Sequence, residues 1–286
     1  MSDTPAPAVF KPAPGIYTDL PNEVYHGSEG ISKSGIDLVQ QSPLHYWDRY
    51  LNPEKEPEED KDHFVVGSAL HTAASEPDLF GARYLIAPSD INKRTKEGKA
   101  QWAALELEAK TTNKSILKAS DRDDVLRMAS VLRKHPSVSK LLQGGVVEQS
   151  MYFTDPTTGV LRKMRPDYWR HGMLVDLKTT TDASLEAFRK AIYNWGYHRQ
   201  AAWYLDGNQI VTAEDHQNFV FVVIEKERPF GVGVYVLDDE SITRGRIECR
   251  DALDTYKRCL DTGEWPGYPS QVQTISLPLW AFKAAA

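Results

Sequence analysis

Residues 147–179 constrain this chain more than any other stretch, because their periodicity is that of strands and their breaks are strong turns. Apolar and polar residues alternate over 147–153, Asp155-Pro156-Thr157-Thr158-Gly159 turns, 161–169 alternates again, Arg170-His171-Gly172 turns, and 173–179 forms a third run. Runs joined this tightly predict an antiparallel meander. Helical periodicity at 64–74, 102–109, 123–132, 184–206 and 239–260, with two more strands at 219–225 and 233–237 around Pro229 and Gly231, predicts an α/β (α+β) fold. Its centre is a mixed β-sheet flanked by helices.

Pro5, Pro7, Pro12 and Pro14 fix φ and remove backbone donors, so residues 1–25 are expected to form an extended N-terminal arm that orders only on a partner. Residues 26–265 are expected to be a single domain and 266–286 a C-terminal tail. A serine of Gly30-Ile31-Ser32-Lys33-Ser34 precedes a helix-periodic run as an N-cap, Pro43 falls at or past the end of that helix, and 45–50 continues a second helical face. The acidic run 54–62 reads as a solvated loop. The basic run 90–99, with Lys93, Arg94, Lys96 and Lys99, reads as a mobile loop or as an electrostatic track for a phosphate backbone.

No apolar run approaches the ~18 residues of a membrane span, and the N-terminus lacks a signal-peptide pattern, so a cytoplasmic location is expected. Cys249 and Cys259 are too few to ligate a zinc ion or an iron-sulfur cluster. A net charge of −6, from 34 basic and 40 acidic residues, argues against a protein that coats nucleic acid by bulk charge. It leaves open an enzyme that gathers carboxylates around divalent ions.

The chemistry concentrates at Pro166-Asp167 and Asp176-Leu177-Lys178, on adjacent predicted strands. Side-chain alternation puts Asp176 and Lys178 on one face, and the short connection can bring Asp167 beside them. Two carboxylates suit Mg2+, with Mn2+ as the alternative, and a neighbouring lysine can orient a water or take its proton. That set suits phosphodiester hydrolysis, whereas a surface salt bridge on a hairpin would use the same residues without chemistry. An acidic residue two before a lysine occurs four times in the chain, and only this copy sits in strands.

Met164-Arg165-Pro166-Asp167 with Val175-Asp176-Leu177-Lys178 resembles the PD-(D/E)xK nuclease signature. Gly67-Ser68-Ala69-Leu70-His71 resembles the GxxxH helix motif of its RecB-like branch, and Gln200-Ala201-Ala202-Trp203-Tyr204 resembles that branch's QxxxY motif. The segments 30–34 and 42–46 are similar to the N-terminal signature of the RecE, or exonuclease VIII, family, so the likeness covers roughly residues 26–260.

The resemblance implies that His71, Asp167 and Asp176 hold metal with the Leu177 carbonyl, and that Lys178 is the catalytic lysine. Glu148 is either a further or water-mediated metal ligand or a solvent-facing strand residue. Gln200 and Tyr204, one helical turn apart, can reach a common groove, although Tyr204 also suits packing on the sheet. Ser32, Lys33 and Ser34 either cap a helix or bind a DNA phosphate there. Arg165 either contacts a phosphate or pairs with Glu148.

As a whole the resemblance implies a Mg2+-dependent exodeoxyribonuclease that degrades linear duplex DNA from its ends, 5′ to 3′, leaving 3′ single-stranded overhangs for recombination. It also implies a homo-oligomeric ring and a RecT-like single-strand annealing partner. The rivals are an endonuclease of the same fold and a non-catalytic DNA-binding module. An iron-sulfur nuclease of this fold needs four cysteines and is excluded.

Overall fold

A computed structural model describes residues 9–55, 62–214 and 218–277. The first eight residues of the expected arm, most of the acidic run and the end of the tail lie outside the described residues. In chain order the elements are β1 (Gly15–Tyr17), α1 (Asn22–Gly27), α2 (Lys33–Gln41), α3 (Pro43–Tyr50), α4 (Asp62–Ser75), a 3₁₀ turn (Pro77–Leu79), α5 (Phe80–Arg83), β2 (Tyr84–Ala87), α6 (Lys96–Thr112), β3 (Ser115–Lys118), α7 (Ala119–Lys134) and α8 (Pro136–Leu141). There follow β4 (Val146–Val147), β5 (Ser150–Thr154), β6 (Leu161–Met164), β7 (Tyr168–Arg170), β8 (Met173–Thr180), α9 (Leu185–Asn194), α10 (Tyr197–Thr212), β9 (Asn218–Glu225), β10 (Val232–Val236) and α11 (Asp239–Thr262).

The expected α/β architecture is present, but the meander is not one sheet. Among the described residues, β10-β9-β8-β7-β4 form a five-stranded sheet, β1-β5-β6 a three-stranded one and β2-β3 a parallel pair. The strand expected over 147–153 breaks at Glu148, whose φ of 45° lies in the left-handed region. The strand expected over 161–169 breaks at Arg165-Pro166-Asp167, where proline has no N–H to give a ladder. Both breaks pass the chain from one sheet to the other, so alternation was read correctly and sheet membership was not.

The five-stranded sheet is covered on both faces, which is why β9 is apolar from Phe219 to Ile224 and β8 opens with the apolar run Met173-Leu174-Val175. Val175, Leu177, Val220 and Val222 pack with Leu70 of α4 and Met128 of α7. On the opposite face, Leu174, Phe219 and Phe221 pack with Phe188 of α9 and Ala201 of α10. The alternation of side chains therefore commits Asp176 and Lys178 to the α10 face. The three-stranded sheet has a core of its own, in which Met151, Phe153 and Met164 meet Ile36 of α2, Trp203 of α10 and Leu253 of α11.

Four local expectations are corrected. The helix over 184–206 is two helices, because Gly196 turns the chain in a left-handed conformation (φ 63°) where a Cβ would run into the Arg199 guanidinium. The basic run 90–99 is loop only in its first half: Thr95 caps α6 through the Gly98 N–H, Lys96 and Lys99 lie on that helix, and the Lys93 ammonium sits over the Trp102 ring. The arm is packed where it is described. Its β1 pairs antiparallel with β5, and Phe10, Tyr17 and Tyr25 crowd edge-on around Tyr152. The expected tail likewise begins inside the fold, with Trp265 stacked on Tyr46 and the Pro266 carbonyl accepting from the Leu44 N–H.

Candidate active site

The site is created by a mismatch of strand lengths. β7 pairs with β8 only from Met173 to Val175, whereas β9 runs parallel to β8 as far as Thr180. The edge of β8 beyond Val175 therefore faces no strand, and Asp167 at the foot of β7 fills the first gap: its Oδ2 accepts the Leu177 N–H at 2.7 Å. The N–H and C=O of one strand residue point to the same edge, so the Leu177 carbonyl opens beside Asp167.

Asp167 draws in His71 from the α4 face, with Nδ1 3.3 Å from Oδ2. On the α10 face, Gln200 Nε2 donates to Asp176 Oδ1, and Lys178 Nζ lies 2.6 Å from Asp176 Oδ2. The site thus straddles the end of the sheet. It joins His71, Asp167, Asp176, Leu177, Lys178 and Gln200, residues separated by up to 129 positions in sequence.

The electrostatics are those of a cation site. Burial raises the Asp167 carboxyl to about 6; the nearby Asp176 charge adds to this, while His71, Lys178 and the Leu177 N–H oppose it. Burial opposes a charge on Lys178, but Asp176 and Asp167 outweigh it and hold the ammonium above its ordinary value. Despite its close ion pair, Asp176 Oδ2 has no aligned hydrogen bond and is buried, an acceptor with unused capacity.

Hard oxygen donors of this kind fit Mg2+ or Mn2+, which are held through one or two carboxylates with the remaining positions left to water or substrate. Among the described residues no group of three or more His, Cys, Asp or Glu side chains is gathered as a closed metal cage. The donors that fit are Asp167, Asp176 and the Leu177 carbonyl, with His71 adjoining from the other face.

The remaining expected residues lie around this centre in different roles. Tyr204 is half-buried, its phenol is pushed well up by desolvation, and its hydroxyl donates to the Arg165 carbonyl at 3.3 Å. It braces the Arg165-Pro166-Asp167 corner. Arg165 is not paired with Glu148 and does not reach into the cleft; its guanidinium donates to Ser150 Oγ, the Leu20 carbonyl and Asn22 and lies over the Tyr25 ring. Glu148 is not on a strand, and its N–H donates to the Asp167 carbonyl at 3.2 Å. Ser32 caps α2 through the Gly35 N–H, and Ser34 is exposed on the first turn.

Lys33 is held by Asp37 at 2.7 Å and by the Trp195 carbonyl at 2.9 Å. The sequence reading missed Tyr197, whose ring faces Lys178 Nζ at 4.9 Å and Lys33 Nζ at 6.0 Å. It also missed Arg199, which ties Asp37 of α2 to Glu248 of α11. Tyr197 lies three residues before Gln200, a helical spacing that could have drawn attention to it; nothing in the sequence signals the Arg199 link.

A short strand, β7, that runs antiparallel to the longer β8 and stops before its end, with acid, acid and lysine at the bared edge and a glutamine on the covering helix, is the arrangement of a PD-(D/E)xK-type fold. The chain belongs to the family described as "PDDEXK-like domain of unknown function (DUF3799)", whose model matches residues 32–278. No curated protein matches the chain. Among solved structures it is similar to a protein from Eubacterium rectale described as a "putative exonuclease", at 14% identity over 94% of this chain and 100% of the other, with a TM-score of 0.61. A second, SSO0001, aligns over 66% of this chain and 85% of its own at 16% identity with a TM-score of 0.27, too low to bear on the fold.

Proposed function

We propose that the protein is a metal-dependent exodeoxyribonuclease that degrades linear double-stranded DNA. The observation that carries this reading is the convergence of Asp167, Asp176 and Lys178 at the uncovered edge of β8. Family membership and the name of the Eubacterium rectale neighbour support it.

Asp167, Asp176 and the Leu177 carbonyl would hold Mg2+, or Mn2+, with His71 completing the set and Glu148 as a further or water-mediated ligand. The bound ion supplies Lewis-acid stabilisation of the phosphoryl oxygens and acidifies a water. Gln200 fixes the rotamer of Asp176 through Oδ1, which leaves Oδ2 to the centre. Lys178, held protonated, donates to the scissile phosphate or to the attacking water and stabilises charge as it develops. Tyr204 and Arg165 act at one remove, by holding the corner that carries Asp167. Lys33, with Ser32 and Ser34 at the start of α2, meets the phosphate of the bound strand.

The finer reading is 5′ to 3′ polarity, generating 3′ overhangs for recombination, in a homo-oligomeric ring that hands its product to a RecT-like annealing protein. The support for it is the RecE-like likeness of residues 30–34 and 42–46. The test is digestion of linear duplex labelled separately at each 5′ and 3′ end, beside a closed circle, with Mg2+, with EDTA and with Lys178→Ala. Metal-dependent loss of the 5′ label from linear DNA alone, abolished in the variant, supports the reading. Cutting of the circle makes the protein an endonuclease, and binding without cleavage under either metal makes it a DNA-binding module.

A further inference from the structure

The corner between α9 and α10 exposes two large aromatic side chains beside the catalytic cleft. Tyr193 is 74% exposed and Trp195 67% exposed. Their backbone is nonetheless fixed. The Trp195 N–H donates to the Ala191 carbonyl, the Trp195 carbonyl accepts from Lys33 Nζ at 2.9 Å, and left-handed Gly196 turns the chain into α10. The Tyr193 ring lies parallel to the His198 ring, 6.3 Å between centroids and 8° between planes. Two residues past Trp195, Tyr197 faces both Lys33 and Lys178. One helical turn before Tyr193, Arg189 is exposed on the same face of α9.

Exposed aromatics on a fixed backbone, interleaved with cations, are the surface that a single nucleic-acid strand requires. Bases stack on the rings without regard to sequence, while the cations follow the phosphates. A folded protein partner would instead leave a broad apolar patch to cover. We propose that Tyr193 and Trp195 form a stacking platform for the bases of an unpaired DNA strand, held beside Lys33 and leading to Lys178. This rests on the nuclease reading above and adds to it the form of the substrate at the cleft: a frayed strand rather than an intact duplex. Trp195 takes the base nearest the cleft, because its own carbonyl is tied to the lysine that faces the phosphate. Tyr193 and Arg189 continue the path along α9.

The test uses the full-length protein in EDTA and a short single-stranded oligonucleotide carrying 2-aminopurine at one end, with each end labelled in a separate probe. Stacking on an indole quenches this base, so wild type is expected to quench it on binding, and Trp195→Phe, which keeps a stacking ring without the indole, is expected to keep most of the affinity. Trp195→Ala is expected to lose the quenching and bind roughly 5- to 100-fold more weakly, and Tyr193→Ala to lose affinity less. In metal-dependent digestion of duplex DNA, Trp195→Ala raises KM more than it lowers kcat. Unchanged affinity and quenching in Trp195→Ala, with wild type cleaving DNA, overturns the platform alone. Quenching that depends on Trp195 in a wild type that cleaves nothing supports the platform and overturns the nuclease reading. A wild type that neither binds nor cleaves overturns both.

Discussion

Two buried carboxylate sites in this molecule are built in opposite ways. Asp155, in the turn after β5, has no exposed side-chain surface, and every lone pair has a donor. Oδ1 accepts from the Thr157 and Thr158 N–H groups, the Thr158 hydroxyl and Arg250, and Oδ2 accepts from Arg250 at 2.8 Å and Arg162 at 3.4 Å. Burial alone would raise its pKa, but the Arg250 and Thr158 hydrogen bonds outweigh it and hold the carboxyl far below the ordinary range. Asp167 has one backbone donor and a histidine, and Asp176 has one amide donor and an unaligned ammonium. Asp167 is consequently raised where Asp155 is lowered. A carboxylate that only has to hold a fold is saturated with donors, whereas one that must accept a cation is left short of them.

The contrast breaks most readily through Asp176→Asn. Cleavage is expected to fall by at least about 10³-fold, the several kcal/mol that a metal-holding carboxylate supplies, while urea denaturation shifts far less than in the Asp155 variant. Equal destabilisation by the two would erase the distinction. Asp155→Ala strands Arg162 and Arg250 beside a buried gap and is expected to cost about 3–5 kcal/mol in the same denaturation experiment. Its cleavage per folded molecule is expected to match wild type.

The pH responses sharpen the difference because their signs oppose. In metal-free protein Asp167 keeps a proton that the unfolded chain gives up above its ordinary value of 3.8, so its contribution is lost as pH rises through about 6. Asp167→Asn is therefore expected to gain on wild type by up to about 3 kcal/mol between roughly pH 4 and 7, read as urea midpoints in EDTA. The deficit of Asp155→Ala runs the other way. A lowered carboxyl contributes above its unfolded value, so that deficit shrinks as pH drops below about 4. The smallest expected effect is that of Gln200→Ala, which frees Asp176 to turn: roughly 10- to 100-fold in metal affinity by titration calorimetry, with thermal stability nearly unchanged. An effect on stability alone would make Gln200 a packing residue.

Much of the centre was legible because it is local. Asp176 and Lys178 share a face by alternation, whereas His71, Gln200 and Tyr204 came from the resemblance of their motifs, helical spacing adding only that Gln200 and Tyr204 share a face. Asp167 was read beside them, although for the wrong reason: it reaches Leu177 from the break before β7, not from within a paired strand. The N-terminal segment was misjudged because its prolines carry a local signal, whereas the pairing of Gly15–Tyr17 with β5 and the packing around Tyr152 depend on residues more than a hundred positions away. Arg165 was misassigned for a similar reason. Its partners, Ser150, Leu20 and Asn22, are brought near only by the three-stranded sheet.

The sequence by itself determined the existence of the longer helices and of the strands from β4 onward, the face on which Asp176 and Lys178 stand, and a serine cap at the start of α2, because each follows from spacings of two to four residues. Only the tertiary structure decided that the strand region divides into two sheets at Glu148 and Pro166, and that β7 stops short and bares the edge of β8. It alone set Tyr197 against Lys178 and turned Trp195 out beside Lys33. These features are set by pairing and packing between distant segments, and alternation along a strand carries no record of which strand lies alongside it or where that neighbour ends.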